Sequence, residues 1–330
     1  MAQRLLATLL LTLCATASQA QSYSFGLWGD VPYRKAGDAA RLPALIDSIN
    51  RADIAFSFHD GDIKDGSSRC DDAVYTDALA MFDRLRKPVV YVPGDNEWTD
   101  CHRISNGGYD PVERLEHLRR VMFADGRSLG RQTLALVHQG QPGQPYVENT
   151  RFEHGGVTFV TLNMPGSNNN RVLDDKDCGF LSARGWDQCE AANAEYGQRD
   201  AANIVWLRTA FAYARAAHSR GLVLVIQADP GFDLPETWDV DESRLPAYSG
   251  YRDFIAALTA ETEAFAGQVL LVHGDTHYFK VDKPLYGPTR VLANLTRVET
   301  FGSPLTHWVE VTVDPRREPL FEIRPVMVKH

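Results

Sequence analysis

Five apolar, strand-like runs in this sequence each end in a cluster of acidic and amide residues. The endings are WGDVPY (Asp30), HDGDIKDG (Asp60, Asp62), PGDNEW (Asp95, Asn96, Glu97), IQADP (Gln227, Asp229) and HGDTHYF (Asp275, His277). A single ending of this kind indicates a turn, because Gly, Asp and Asn are common in turns for backbone reasons alone. Five such endings form a pattern. Since the carboxyl ends of parallel strands line one crevice in an α/β sheet, we expect these side chains to converge on one site.

Helix candidates separate the strand candidates along most of the chain. They cover roughly 38–51, 71–86, 111–123, 193–220 and 250–266, and three more strand candidates follow near the end. The chain has 330 residues, of which 44% are apolar, so it has ample material for a core. This order of elements predicts an α/β sandwich with a mixed sheet and no separate modules.

The segment 167–200 differs from the rest because it is polar and only weakly periodic. We expect a loop excursion here. It is either a lid, with Trp186 as the contact residue, or a plain surface insertion.

The first twenty residues, MAQRLLATLLLTLCATASQA, have the composition of a secretory signal peptide with a cleavage point after Ala20. The apolar run Leu5–Leu13 is too short for a comfortable membrane span. A lipoprotein reading of Cys14 is disfavoured because Leu13 stands where a small residue is needed. We therefore expect an exported protein, periplasmic or secreted, whose mature part 21–330 is one domain without a membrane span.

The mature chain keeps an even number of cysteines, in a compartment that permits disulfides. They are Cys70, Cys101, Cys178 and Cys189. We favour the pairs Cys70–Cys101 and Cys178–Cys189, although the sequence alone allows three pairings. Zinc binding by these thiols is disfavoured because the sequence has no CXXC spacing.

The charge balance bears on the possible partners. The formal net charge is -9 and no basic cluster is present, so nucleic acid is not an expected partner. An anionic substrate would need a local positive centre.

The acidic endings contain only one lysine, Lys64, and no arginine. Crowded carboxylates are protonated or bind cations, and we favour cations. Their oxygen, amide and imidazole donors suit Mg, Mn, Ca, Fe or Zn.

The order and spacing of the five endings resemble the calcineurin-like metallophosphoesterase superfamily, which includes purple acid phosphatases. The family pattern runs DXH, GDXX(D, N or Y), GNH(E or D), a strand-end His and GHXH. The corresponding stretches here are DVP (30–32), GDIKD (61–65), GDNE (94–97), Gln227 and GDTH (274–277). The resemblance covers nearly the whole mature chain. It implies a four-layer sandwich of two mixed β-sheets flanked by helices. It also implies two metal ions and hydrolysis of a small phosphate mono- or diester by a metal-bound hydroxide.

The resemblance also implies a set of metal ligands, with Asp62 as the bridging carboxylate. The candidates are Asp30, Asp62, Asp95, Asn96, Gln227, Asp275 and His277. Four of the five motifs depart from the family pattern. Pro32, Gln227 and Asp275 each replace a family histidine, and the family's Asn–His pair falls at Asp95–Asn96 unless the motif shifts by one residue.

These departures exchange nitrogen donors for oxygen donors, which favours Mn, Mg or Ca over Zn or Fe. A two-ion site, a one-ion site and a metal-free site all remain open.

The catalytic histidine of the family falls at Asn96, so another group must protonate the leaving group. His102 is the nearest candidate and His59 the next. The sequence therefore supports a metal-dependent phosphoesterase. The alternative is a non-catalytic or weakly catalytic member of the fold that binds a ligand or partner. The substrate and the oligomeric state are left open.

Overall fold

The computed structural model describes residues 21–33, 37–232, 242–287 and 290–329. The expected signal peptide, residues 1–20, lies outside these ranges. No helix in the described ranges combines the length and apolar character needed to cross a membrane.

Two β-sheets form the centre of the fold. Their strands, with those of a small hairpin, are β1 Tyr23–Trp28, β2 Ser57–His59, β3 Val89–Tyr91, β4 Val137–His138, β5 Thr150–His154, β6 Val157–Thr161, β7 Gly221–Val225, β8 Gln268–His273, β9 Lys280–Asp282, β10 Tyr286–Gly287, β11 Arg290–Val291, β12 Leu295–Glu299, β13 Trp308–Val313 and β14 Phe321–Val326. One sheet has five strands in the order β14-β13-β1-β2-β3, and the other has seven in the order β4-β5-β6-β7-β8-β12-β9. Each sheet contains parallel and antiparallel pairs, so both are mixed.

Helices cover the outer face of each sheet. They are α1 Asp38–Arg51, α2 Ala73–Phe82, α3 Pro111–Met122, α4 Gly166–Asn169, α5 Asp175–Cys178, α6 Trp186–Ala216 and α7 Arg252–Glu263. Residues of α1, α2 and α3 form one apolar cluster with the five-stranded sheet. Residues of α6 and α7 form another with the seven-stranded sheet.

Side-chain alternation along the strands explains the layers. In β1, Phe25 and Leu27 pack between the two sheets, whereas Trp28 packs among the helices of the other face. Phe25 meets Phe159 of β6 edge to face, with ring centroids 5.2 Å apart. A strand buried on both faces reads as a continuous apolar run, as the sequence does here. The expected four-layer sandwich of two mixed sheets flanked by helices is confirmed.

The segment 167–200 is not a loop along its whole length. It contains α5 and the start of α6, which begins at Trp186 and not near residue 193 as the periodicity predicts. Polar residues obscure this first part of the helix in the sequence. Both expected disulfides, Cys70–Cys101 and Cys178–Cys189, are present, and the second ties α5 to α6.

Candidate metal centre

The polar endings converge where the parallel strands of the two sheets end. Asp30, Asp62 and His277 come closest together: one potential ligand atom from each lies within 4.8 Å of the others. Nε2 of His277 is 3.3 Å from Oδ1 of Asp30. Its Nδ1 is 2.7 Å from the backbone oxygen of Ser303, so Nδ1 is the protonated nitrogen. A metal-binding histidine commonly has this arrangement, because the carbonyl fixes both the tautomer and the ring orientation.

The backbone around this group is strained. Four candidate ligands have left-handed φ values: Asp30 (51°), Asp62 (59°), Asp275 (76°) and His277 (65°). Each such residue costs on the order of 1–3 kcal/mol, and such residues cluster at functional sites. Their turns also need glycine, since a Cβ on Gly94 would lie 2.2 Å from Oδ1 of Asp62.

Asp62 is buried and held by several donors. Asn96 donates to it through its backbone N at 3.2 Å and through Nδ2 at 2.5 Å. The hydroxyl of Tyr33 donates to Oδ2 at 2.8 Å. The backbone N of Asp62 donates to Glu97 Oε1, which also accepts from Gly94 N and the Tyr91 hydroxyl. Glu97 therefore positions the loop that carries Asp62. Burial, followed by the charges of Asp95 and other acids, raises the pKa of Asp62 well above its usual value.

Tyr33 directly follows Pro32, which stands where the resembled motif has a histidine. Its hydroxyl lies 3.1 Å from Nε2 of His277 as well as near Asp62. Burial and the carboxylates of Asp62 and Asp30 raise the pKa of Tyr33 far above its ordinary value. The side chain is therefore a neutral phenol that donates a hydrogen bond to Asp62, and not a phenolate.

Asp95, Asp275 and Gln227 form the second half of the centre. Nε2 of Gln227 lies 3.5 Å from Oδ1 of Asp95 and 3.3 Å from Oδ1 of Asp275. Its Oε1 accepts a 2.6 Å hydrogen bond from the backbone N of Gly166. This bond assigns the orientation of the amide, so that the NH₂ group faces the two carboxylates. Gln227 is thus placed as a donor between the acids. Its predicted role as an oxygen ligand stays a prediction.

Ser167 is a site residue that the sequence did not reveal. Its hydroxyl lies 2.8 Å from Asp95 Oδ2 and 2.7 Å from Asp100 Oδ1. One hydroxyl has a single proton to donate, so both bonds form together only when one of the carboxyl groups is protonated. Burial and the nearby Asp95 raise the pKa of Asp100 to about 7.

A left-handed turn presents Ser167 to the acids. Ser167, Asn168, Asn169 and Asn170 have φ values of 50°, 54°, 59° and 64°. Asn tolerates this conformation better than other residues with a side chain. Arg199 stabilises the turn, since its guanidinium donates to the side chain and the backbone oxygen of Asn169. The signal in the sequence is the SNNN run that follows the strand candidate VTFVTLNMPG.

The disulfide Cys70–Cys101 supports the turn that carries Asn96. Its sulfur atoms lie 3.6 and 3.8 Å from the backbone oxygen of Asn96. Nζ of Lys64 donates to the same oxygen at 2.7 Å. The lysine next to the acidic endings therefore binds a backbone carbonyl of the neighbouring loop.

His102 lies in the wall of the cavity beside the acids and is not a member of the Asp30–Asp62–His277 group. Burial and the charges of Arg184 and Arg103 lower the pKa of His102 to about 3. The imidazole is therefore neutral at pH 7, which is unfavourable for an imidazolium acid. Its catalytic role stays a prediction.

A second group of potential ligands consists of Asp229, His273 and Glu299, all of them buried. Arg297 already supplies a positive charge there. Its Nη1 lies 3.6 Å from Asp229 and 3.9 Å from Glu299, and 3.4 Å from Nε2 of His273. We interpret this group as a structural ion network.

The residues of the first group fit a divalent cation. Asp30 is 0% exposed, and its Oδ2 has no hydrogen-bond partner in the part of the chain that the structure describes. A buried carboxylate oxygen without a partner is costly. A cation bound between Asp30, Asp62 and His277 would remove that cost, and these donors are suitable for Mn, Mg or Ca.

Comparison with known proteins supports the fold. The sequence matches no protein-family model and no curated protein. Among solved structures the chain is similar to PhoD, with 11% identity and a TM-score of 0.55, over 89% of this chain and 64% of PhoD. The chain therefore has the same overall fold as PhoD. This chain spans somewhat less than two thirds of PhoD, and at this identity the similarity shows the fold alone.

Two further structures have lower scores. GAP50, the anchor in the inner membrane complex of Plasmodium, has 12% identity and a TM-score of 0.45, over 94% of this chain and 90% of GAP50. The sulfate thiohydrolase SoxB of Thermus thermophilus, solved in complex with glycerol, has 14% identity and a TM-score of 0.41, over 87% of this chain and 42% of SoxB.

Proposed function

We propose that this protein is an exported, metal-dependent phosphoesterase that hydrolyses a small phosphate mono- or diester. The observation that supports it best is the strained group Asp30, Asp62 and His277, in which Oδ2 of Asp30 is buried without a hydrogen-bond partner among the described residues. The group lies at the carboxyl ends of parallel strands, where open α/β sheets commonly bind their ligands. The resemblance of the five motifs suggests the phosphoester chemistry.

Asp30, Asp62 and His277 would hold the ion. When bound, a divalent ion polarises a phosphoryl oxygen and lowers the pKa of a water molecule. Tyr33 and Asn96 keep Oδ2 of Asp62 in a fixed position through hydrogen bonds of 2.8 and 2.5 Å. The Ser303 carbonyl keeps the proton of His277 on Nδ1, so that Nε2 faces Asp30.

The second ion that the sequence predicts has a less favourable environment. Asp95 and Asp275 are present, but the NH₂ group of Gln227 lies between them. Rotation of this amide would break the 2.6 Å bond from Gly166 to Gln227 Oε1. We therefore propose one ion at the first group. Mn, Mg or Ca is favoured because oxygen donors dominate.

The orientation of the Gln227 amide also favours a second candidate function. An amide that stabilises two carboxylates by donating hydrogen bonds reduces the need for a cation in this half of the centre. A protein that binds a ligand in the crevice without hydrolysing it would have this feature.

Export is part of the proposal and is supported by the N-terminal sequence pattern and by two disulfides. Disulfides persist in oxidising compartments. Mass spectrometry of the protein after expression and fractionation would test it, and we expect a chain that begins at Gln21 outside the cytoplasm.

Metal analysis combined with a phosphoester screen separates the two functions. We expect about one equivalent of Mn²⁺ in the wild type, phosphate release, and loss of both in Asp62→Asn. Asp47→Asn is the matched control, because Asp47 is exposed on α1. Metal binding without turnover of any mono- or diester would favour the binding protein. No binding of Mn, Mg, Ca, Zn or Fe would contradict the proposed enzyme.

A further inference from the structure

A cavity of about 780 Å³ lies beside the candidate metal centre. We call it the arginine pocket. Its inner end, next to the candidate metal centre, contains Asp275, whose backbone N lies 3.3 Å from Oδ1 of Asp30, and Ser167, whose hydroxyl contacts Asp95. Three arginines, Arg103, Arg171 and Arg184, also line it. The volume is within the range of about 300–1,000 Å³ that accommodates small organic ligands.

The segment after the left-handed turn forms much of the pocket. Leu173, Phe180 and Arg184 come from the two sides of α5, while Leu245 and Tyr248 face them from another part of the chain. Phe180 is 59% exposed. The pocket thus combines apolar and aromatic walls with positive charges, a composition that suits a partly apolar anion.

Two of the arginines have no carboxylate partner in the described ranges. Nε of Arg184 donates to the backbone oxygen of Cys178 at 3.0 Å. Nη1 of Arg171 donates to the backbone oxygen of Ser249 at 3.1 Å, and its guanidinium lies 5.7 Å from the centre of the Tyr196 ring. Backbone contacts therefore orient both guanidinium groups and leave their charges uncompensated by an ion pair.

Three of the acids that line the pocket have contacts other than Arg171 and Arg184. Asp100 forms a 2.6 Å ion pair with Arg103. Oδ2 of Asp177 accepts the backbone N of Leu173 at 2.8 Å. Asp229, at the inner end, lies 3.6 Å from Arg297. The two unpaired arginines are thus the groups in this wall that best suit a ligand anion, since a planar guanidinium can bind carboxylate or phosphate through two parallel hydrogen bonds.

We propose that the arginine pocket selects a phosphoester whose organic group is partly apolar and carries a second negative charge, which Arg171 and Arg184 bind. This inference rests on the proposed function, because it assigns the phosphoryl group to the ion that Asp30, Asp62 and His277 would hold next to the inner end of the pocket. It goes beyond that function by defining the substrate class. Arg171 and Arg184 determine specificity and take no part in bond cleavage.

Paired probes that differ by one anionic group test the proposal. The pairs are phenyl phosphate with 4-carboxyphenyl phosphate, and a nucleoside 5′-monophosphate with the corresponding 3′,5′-bisphosphate. Calorimetry on the Mn²⁺-loaded protein gives Kd for each probe. Phosphate release is measured separately and reports on the proposed function.

We expect the wild type to bind the doubly anionic member of at least one pair about tenfold more tightly, as a charged hydrogen bond allows. Arg171→Gln and Arg184→Gln should each remove most of this preference, and the corresponding Lys variants should restore part of it. Arg208→Gln is the matched control, because Arg208 is exposed on α6 outside the pocket. It should keep the wild-type preference.

Two results would overturn the proposal. One is a wild type that shows no preference in either pair, including one that binds none of the probes. The other is a preference that survives in both Gln variants. A preference in Kd without phosphate release would support the pocket and contradict the enzyme, so the two failures are distinguishable.

Discussion

The hydroxyl of Tyr33 donates a 2.8 Å hydrogen bond to Oδ2 of Asp62, at the centre of the candidate metal site. The same hydroxyl lies 3.1 Å from Nε2 of His277. It therefore contacts two of the three residues that would hold the ion. Pro32 stands where the resembled motif has a histidine, and the next residue in the chain supplies a neutral donor to the site.

Tyr33→Phe should weaken metal binding by about tenfold, because loss of a group that orients a metal ligand typically costs 10–100-fold in affinity. Asn96 still holds Asp62 in this variant, so we do not expect complete loss. Calorimetric titration with Mn²⁺ measures the effect. Tyr213→Phe removes an exposed hydroxyl that contacts Glu153 and serves as the control. Wild-type affinity in Tyr33→Phe would show that the hydroxyl does not position the ligands.

The sequence was sufficient to predict the layers of the fold and the convergence of the polar endings. Continuous apolar runs such as VVYV identify strands buried on both faces, and their acidic endings show where the strands terminate. Short or exposed strands were not found. β4 (Val137–His138) and β9 (Lys280–Asp282) have too few buried residues to produce a periodic pattern.

The details of the site depend on contacts between distant residues, which local patterns do not encode. Ser167 reaches Asp95 and Asp100 only because α4 turns left-handed. The orientation of the Gln227 amide depends on Gly166, which is 61 residues away in the sequence. The motif predicted that Gln227 lies at the site, but not that its NH₂ group faces the acids.

His102 should make the protein less stable in acid. Its folded-state pKa of about 3 lies below the unfolded value of about 6.5, so between these values the unfolded chain binds more protons. The free energy of unfolding contributed by this group therefore falls as the pH drops from 6.5 towards 3, by about 2 kcal/mol at pH 5. The measurement is the difference in urea unfolding between wild type and His102→Gln at pH 7.5 and pH 5.

The variant cannot titrate at this position, so its stability relative to the wild type should rise as the pH falls. A difference that does not change with pH would show that His102 is not held neutral. It would then be a credible imidazolium acid, as the sequence predicts.

The buried pair of Arg119 and Glu148 should stabilise the fold only as a complete pair. Arg119 donates to Glu148 at 2.9 Å and 2.6 Å, and Glu148 is 0% exposed. Arg119→Met would leave a buried carboxylate without its cation and should cost about 3–5 kcal/mol. Urea unfolding at pH 7 measures this cost. The double variant Arg119→Met with Glu148→Leu should recover much of it, whereas a purely additive loss would contradict the argument.

Gln227→His should change the number of bound ions. The wild-type amide donates towards Asp95 and Asp275, which lie on either side of it. An imidazole with an unprotonated nitrogen in this place would supply a ligand in place of two N–H donors. We expect about one equivalent of Mn²⁺ in the wild type and about two in Gln227→His, measured by metal analysis after dialysis. Gln268→His, on the far end of β8, controls for binding by an added histidine. Two equivalents already present in the wild type would mean that Gln227 rotates to accept an ion, as the motif resemblance predicts.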